Sequence, residues 1–179
     1  MNIKQFWKAV LAQDEEEIRK YFHKDAYVNW HCTNEHFTVD EYMIYEAKLL
    51  GASAVLLICS ILNEEELKHY MAVCEELGLS ALVEAHDAEE VEMALRAGAR
   101  IIGVNNRNLK DFTVNTDNSK KLREMIPPEV IFVSESGVKG SEDVAALREI
   151  GADAVLVGET LMRAEDKTKM LAKLRGGQL

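Results

Sequence analysis

One unit recurs from about residue 50 onward and restricts the fold more than any other feature: a helical pattern, a glycine, a short apolar strand and a polar tip. The strands read AVLLICS from Ala54, ALVEAHD from Ala81, RIIGVNNRN from Arg100, VIFVSESG from Val130 and AVLVGET from Ala154. Their starts lie 27, 19, 30 and 24 residues apart. Most gaps hold one crossover helix, which parallel strands require. Gly51, Gly78, Gly98 and Gly151 stand where a left-handed helix C-cap needs no Cβ. Asn63 with Glu66, and Asp87 with Glu90, have the spacing of an N-cap and its N3 partner. Five βα units of one parallel sheet are expected.

The first part of the chain follows another pattern. Ile3, Phe6, Trp7, Val10 and Leu11 form an amphipathic helical stripe, and Asp14 with Glu17 caps a second helix carrying Ile18, Tyr21 and Phe22. AYVNWHC, from Ala26, then alternates like a strand with two unlike faces, suited to a sheet edge. Thr38 and Glu41 open a third helix, expected to run to about Leu50 with Val39, Tyr42, Met43, Ala47 and Leu50 toward the core. The two patterns meet inside this helix without a break, so one folded body is expected.

Charge and cysteine content narrow the function classes. The chain has 179 residues, and 21 basic against 31 acidic side chains give a net charge of −10 without a basic cluster. That opposes binding to a phosphate backbone, and no nucleic-acid partner is expected. Three cysteines, Cys32, Cys59 and Cys74, make no paired motif and suit a reduced, cytoplasmic setting, with Cys59 and Cys74 packing as small hydrophobes. The longest apolar stretch is far too short for a membrane span, and the N-terminus has no signal-peptide pattern. His31, Cys32 and His36 lack the spacing of a ligand set, so neither metal nor cofactor is expected.

The strand tips hold the candidate chemistry. Rims of parallel α/β folds are where active sites are built. Glu84, Asn105 and Glu135 all fall on such a rim, although solvated polar tips would give the same residues. In order and spacing, LVEAHD, IIGVNNRNL, VSESGV and AVLVGETLMR closely resemble the last strands of the indole-3-glycerol-phosphate synthase family of tryptophan biosynthesis, from about Tyr45 to Leu174. The resemblance implies units four to eight of a TIM barrel. It also implies a ring closure with loss of CO2 and water on an anilino-ribulose phosphate. By the same match Glu84 is the catalytic glutamate, Asn105 and Arg107 are active-site residues, and Glu135 and Ser136 line the substrate pocket. Gly137, Gly158 and Glu159 fall where the family holds the substrate phosphate, at a kind of site common to the last two strands of such barrels.

The family also takes a glutamate and a lysine from its first strand and a general-acid lysine from its third, in E-F-K-like and R-K-D-F-like sequences that do not occur here. Lys110 and Lys139 lie in loops on the same side as the tips. Residues 1–43 resemble the opening of a nuclear transport factor 2-like (SnoaL-like) domain, helix, helix, strand, helix.

The expectation is therefore an α/β protein with a partial TIM-barrel-like sheet of five βα units and the N-terminal segment packed on it. The leading functional reading is a chimeric or engineered descendant of the synthase family, catalytically incomplete, with residual sugar-phosphate binding. The alternatives are an active lyase of that family, and a small-molecule or dimerisation module built on the N-terminal segment. Open sheet edges also point to a homodimer.

Overall fold

The computed structural model describes residues 40–107 and 113–176. In chain order its elements are α1 (Glu41–Leu49), β1 (Ala54–Ile58), a 3-10 turn (Cys59–Ile61), α2 (Glu64–Glu76), β2 (Ser80–Ala85), α3 (Ala88–Ala97), β3 (Ile101–Asn105), α4 (Asp117–Arg123), β4 (Ile131–Glu135), α5 (Ser141–Glu149), β5 (Ala154–Leu156), α6 (Glu159–Arg163) and α7 (Lys167–Leu174). The chain divides into two compact units, residues 1–46 and 47–179. The expected N-terminal helices and edge strand lie outside the described residues.

All five strands are parallel and stand side by side in chain order, β1-β2-β3-β4-β5. This sequential order has a physical consequence. Parallel crossovers are right-handed, so successive crossovers without a reversal of strand order place every helix on the same face of the sheet. The burial of the strands reflects this. Leu57, Val83, Ala85, Ile102, Val104, Phe132 and Ser134 are buried on one face, with Leu67, Val73 and Cys74 of α2, Val91 and Ala94 of α3 and Leu122 of α4 also in the core. On the other face Leu56, Ile131 and Leu156 are exposed. Farther along the chain, Val138, Leu147 and Leu174 form a smaller core with Val155 and Leu161 packed against it. Among the described residues the fold is α/β, and its five-stranded parallel sheet has the layout of part of a barrel.

Local signals set these boundaries. Asn63 forms the expected reciprocal capping box with Glu66. Asp87 accepts from the Glu90 backbone N–H at 3.0 Å, but the Glu90 carboxylate bypasses Asp87 and takes the backbone N–H of His86 at 2.7 Å. The glycines expected after helices have positive φ at Gly51, Gly78, Gly98 and Gly151.

The expected inward face of α1 is corrected. Ile44 is buried, whereas Tyr42, Met43 and Leu50 are exposed. Apolar residues at 42, 43, 44 and 45 surround the helix, so periodicity alone could not select a face. Cys59, expected in a strand, lies in the 3-10 turn after β1.

Candidate functional site

Register brings the strand tips together. Glu84 pairs with Gly103 across β2 and β3, and Asn105 pairs with Glu135 across β3 and β4. Paired residues of neighbouring parallel strands share a face, so these side chains leave the sheet on the same side as the exposed Leu56 and Leu156. Unlike those leucines, Glu84, Asn105 and Glu135 are 5%, 9% and 3% exposed. Solvated tips would not be buried to this degree, so that reading fails.

Gly103 makes room for the carboxyl group of Glu135. A Cβ at residue 103 would lie 1.8 Å from Glu135 Oε1, so the missing side chain is the space that the carboxyl group fills. A glycine inside a strand often marks such a close approach. Glu135 Oε1 is buried with no hydrogen-bond partner as a carboxylate. Burial, then a hydrogen bond to Glu84 and repulsion by its charge, push Glu135 from 4.5 up to about 8. A protonated Glu135 can donate to Glu84, which removes the orphaned acceptor and the repulsion together.

Polar residues from the next layer hold this rim in shape. Asn105 Oδ1 accepts from the Arg107 backbone N–H at 2.9 Å and shapes the turn after β3. Asn118 of α4 donates to the carbonyls of His86 and Asn105, tying the β2 and β3 tips together. Asn106 is buried and donates through Nδ2 to Ser134 Oγ and to the carbonyls of Glu135 and Ser136, at 3.0, 3.0 and 3.2 Å. Its Oδ1 accepts from the Ser119 backbone N–H, and the Ser119 and Ser134 hydroxyls are 2.8 Å apart.

These bonds secure a turn in which Ser136 and Gly137 have φ of 65° and 87°. The first is uncommon for a residue with a side chain and needs such support. At Gly137 a Cβ would also meet Val114 Cγ1 at 2.8 Å.

Beside this turn, Arg107, Ser136, Gly137, Lys139, Gly158 and Glu159 line a cavity of about 560 Å³. The Glu159 carboxylate receives Arg107 Nη2 at 2.7 Å and Arg163 Nε at 3.0 Å. The Arg107 hydrogen bond, supported by Arg163, holds it below the usual carboxylate range. Glu159 thus fixes Arg107, and only its backbone N–H suits an anion. The structure places the expected residues in two adjoining sets: Glu84, Asn105 and Glu135, themselves buried, on the sheet face opposite the helix-covered one, and Arg107, Ser136, Gly137, Gly158 and Glu159 around the cavity.

Sequence reasoning passed over Gly103, Asn106, Ser119, Ser134 and His86. The glycine inside a strand was a usable signal. The Asn106 network was not, because its partners are 13 to 30 residues apart in sequence. Among the described residues no group of His, Cys, Asp and Glu is arranged to hold a metal ion. His31, Cys32, His36 and Lys110 lie outside them. No helix among them is long and apolar enough to cross a membrane.

Comparison with known proteins adds the lineage. The family model described as indole-3-glycerol phosphate synthase matches residues 17–174. A protein of that name from Leuconostoc mesenteroides is 58% identical over 140 residues, covering 78% of this chain and 53% of its own length. One from Ruminiclostridium cellulolyticum is 59% identical over 140 residues, covering 78% and 54%. The chain therefore spans about half the length of the curated relatives it matches.

Among solved structures, "Native KDPGal structure" has a TM-score of 0.59 at 16% identity over 78% of this chain and 64% of that one. The 3-hexulose-6-phosphate synthase of Salmonella typhimurium has 0.58 at 19% over 74% and 65%. At such identities these neighbours establish the fold alone.

The reading of the chain as a chimeric or engineered descendant is overturned by these matches. The family model's range begins at residue 17, inside the segment expected to open a nuclear transport factor 2-like domain, and spans the supposed junction near residue 43, which corrects that expectation. With a family match over most of its length and relatives at 58–59% identity, this chain belongs to the indole-3-glycerol phosphate synthase family.

Proposed function

We propose that the strand tips of this chain act on an anilino-ribulose phosphate, closing the indole ring with loss of CO2 and water. One arrangement carries the reading: a buried Glu135, pushed up to about 8, beside Glu84 on one face of the sheet. Ring closure needs a proton on the former carbonyl oxygen, and loss of CO2 returns its bonding electrons to the aromatic ring. Loss of water needs a second proton on the resulting hydroxyl and a base to take one from the forming ring. A buried carboxyl group that holds its proton, with a second carboxyl group beside it, is suited to those roles. Glu84 is the base, and protonated Glu135 donates to the hydroxyl. Asn105 orients the substrate, and Arg107 supplies positive charge at the neighbouring cavity. The phosphate lies against Gly137, Gly158 and the backbone of Glu159, where small residues let an anion approach main-chain donors. The scheme needs no cofactor.

The test is indole fluorescence from the purified chain given anilino-ribulose phosphate, alongside Glu84→Gln. Turnover in the chain and its loss in the variant support the reading. Saturable calorimetric binding of indole-glycerol phosphate without turnover would reduce it to ligand binding, and neither signal would overturn it.

A further inference from the structure

His86 stands two residues past Glu84 on the same strand end, and the catalytic scheme above leaves it unused. Its ring lies between two carboxylates: Nδ1 is 3.2 Å from Glu90 Oε2 and Nε2 is 3.4 Å from Glu84 Oε1. The side chain is only 17% exposed. Glu90 also holds the His86 backbone N–H at 2.7 Å, so main chain and ring are fixed by one group. The His86 carbonyl is tied in turn to Asn118. Nε2 is buried and has no hydrogen-bond partner.

A ring whose Nδ1 donates to Glu90 has two states: neutral, with a bare Nε2 lone pair facing Glu84, or protonated, with an N–H facing it. The first sets an acceptor against a carboxylate in a buried site, whereas the second sets opposite charges 3.4 Å apart. We propose that His86 is a positioning residue that presents a positive charge and an N–H to Glu84, and so directs the single proton of the Glu84–Glu135 pair onto Glu135.

The charges around the ring agree. Glu90 and Asp87 face it from α3 and its cap, and Glu84 from β2. The Glu90 hydrogen bond, then the nearby Glu84, Glu90 and Asp87 charges, outweigh burial and raise His86 above its ordinary 6.5. Cys59, after β1, lies in the same acidic field, and burial together with Glu90, Glu84 and Asp87 pushes its thiol up to about 12. That thiol stays neutral and contributes no competing charge. The chain of groups therefore runs Glu90, His86, Glu84, Glu135, with charge alternating along the first three and the proton on the last.

The inference rests on the proposed roles of Glu84 and Glu135, but its test needs no substrate. Nitrogen-15 NMR of the full chain reads each ring nitrogen of His86 against pH, and carbon-13 NMR reads the Glu135 carboxyl. The expected result is Nδ1 protonated throughout and Nε2 titrating above 6.5, with the midpoint falling in Glu90→Gln. That substitution keeps an acceptor for the His86 backbone N–H but removes the charge. In His86→Gln, near-neutral pH should cost Glu135 part of its acid-form signal, because the positive charge beside Glu84 is gone.

A bare Nε2 at pH 6, or a Glu135 signal unmoved in His86→Gln, would overturn the inference. An inactive protein with the expected titrations would sink only the proposed function. An active one whose His86 is neutral would sink only this inference.

Discussion

A methyl group at residue 103 would lie 1.8 Å from Oε1 of Glu135 and 2.9 Å from its Cδ. The side chain it would displace is buried, so it has nowhere to go without moving β4 or opening the site to water. Gly103→Ala is accordingly expected to cost about 1–3 kcal/mol, the usual range for overpacking a filled interior. The shift of Glu135 should shrink as its carboxyl is forced toward solvent. Urea denaturation and carbon-13 titration of the same sample check both effects. An unshifted Glu135 in a stable variant would mean that the carboxyl does not depend on the space over Gly103.

Elements meet at the rim through Asn106, whose amide joins the end of β3 to β4, to the turn after it and to the first turn of α4. Removing that amide leaves the Ser119 N–H and the Ser136 carbonyl short of partners, whereas the Ser134 hydroxyl keeps Ser119 and the Glu135 carbonyl keeps the Asn106 backbone N–H. Each orphaned group costs about 1–3 kcal/mol before relaxation. Asn106→Ala should therefore lose roughly 3 kcal/mol in denaturation. It should also release the Ser136 turn, weakening binding of an anion at the cavity more than the overall fold loss explains. Asn106→Asp keeps the acceptor for Ser119 but loses the donated bonds, so a stable Asp variant would show that the donated bonds matter little. Helix caps are simpler: Asn63 and Glu66 are three residues apart and satisfy each other locally.

At the scale of the whole molecule, titration links the site to stability. Glu135 holds its proton up to about 8 in the folded chain, against 4.5 ordinarily. Between those values the folded state binds a proton that the unfolded chain has released, so stability falls as pH rises through that window. His86 adds to the fall above 6.5, because its folded value is also raised. Denaturation midpoints measured from about pH 5 to about pH 8 should decline, and Glu135→Gln should flatten most of the slope. A flat profile in the unaltered chain would mean that Glu135 is not held protonated.

Much of this protein was legible before any tertiary contact was known. Period, glycine spacing and cap residues placed five strands and their helices, because each depends on groups a few residues apart. The motifs of the tips placed Glu84, Asn105 and Glu135 at strand ends, because an apolar run that stops at polar residues marks where a strand ends. The face they share came from register. The buried face of α1 was not legible, since apolar residues surround it and only packing selects among them. Nor was the Glu84–Glu135 proton, the His86 bridge or the Asn106 network. Each depends on register and side-chain reach across strands, where a few tenths of an ångström and the exclusion of water decide whether a polar group is a solvated tip or a member of a site.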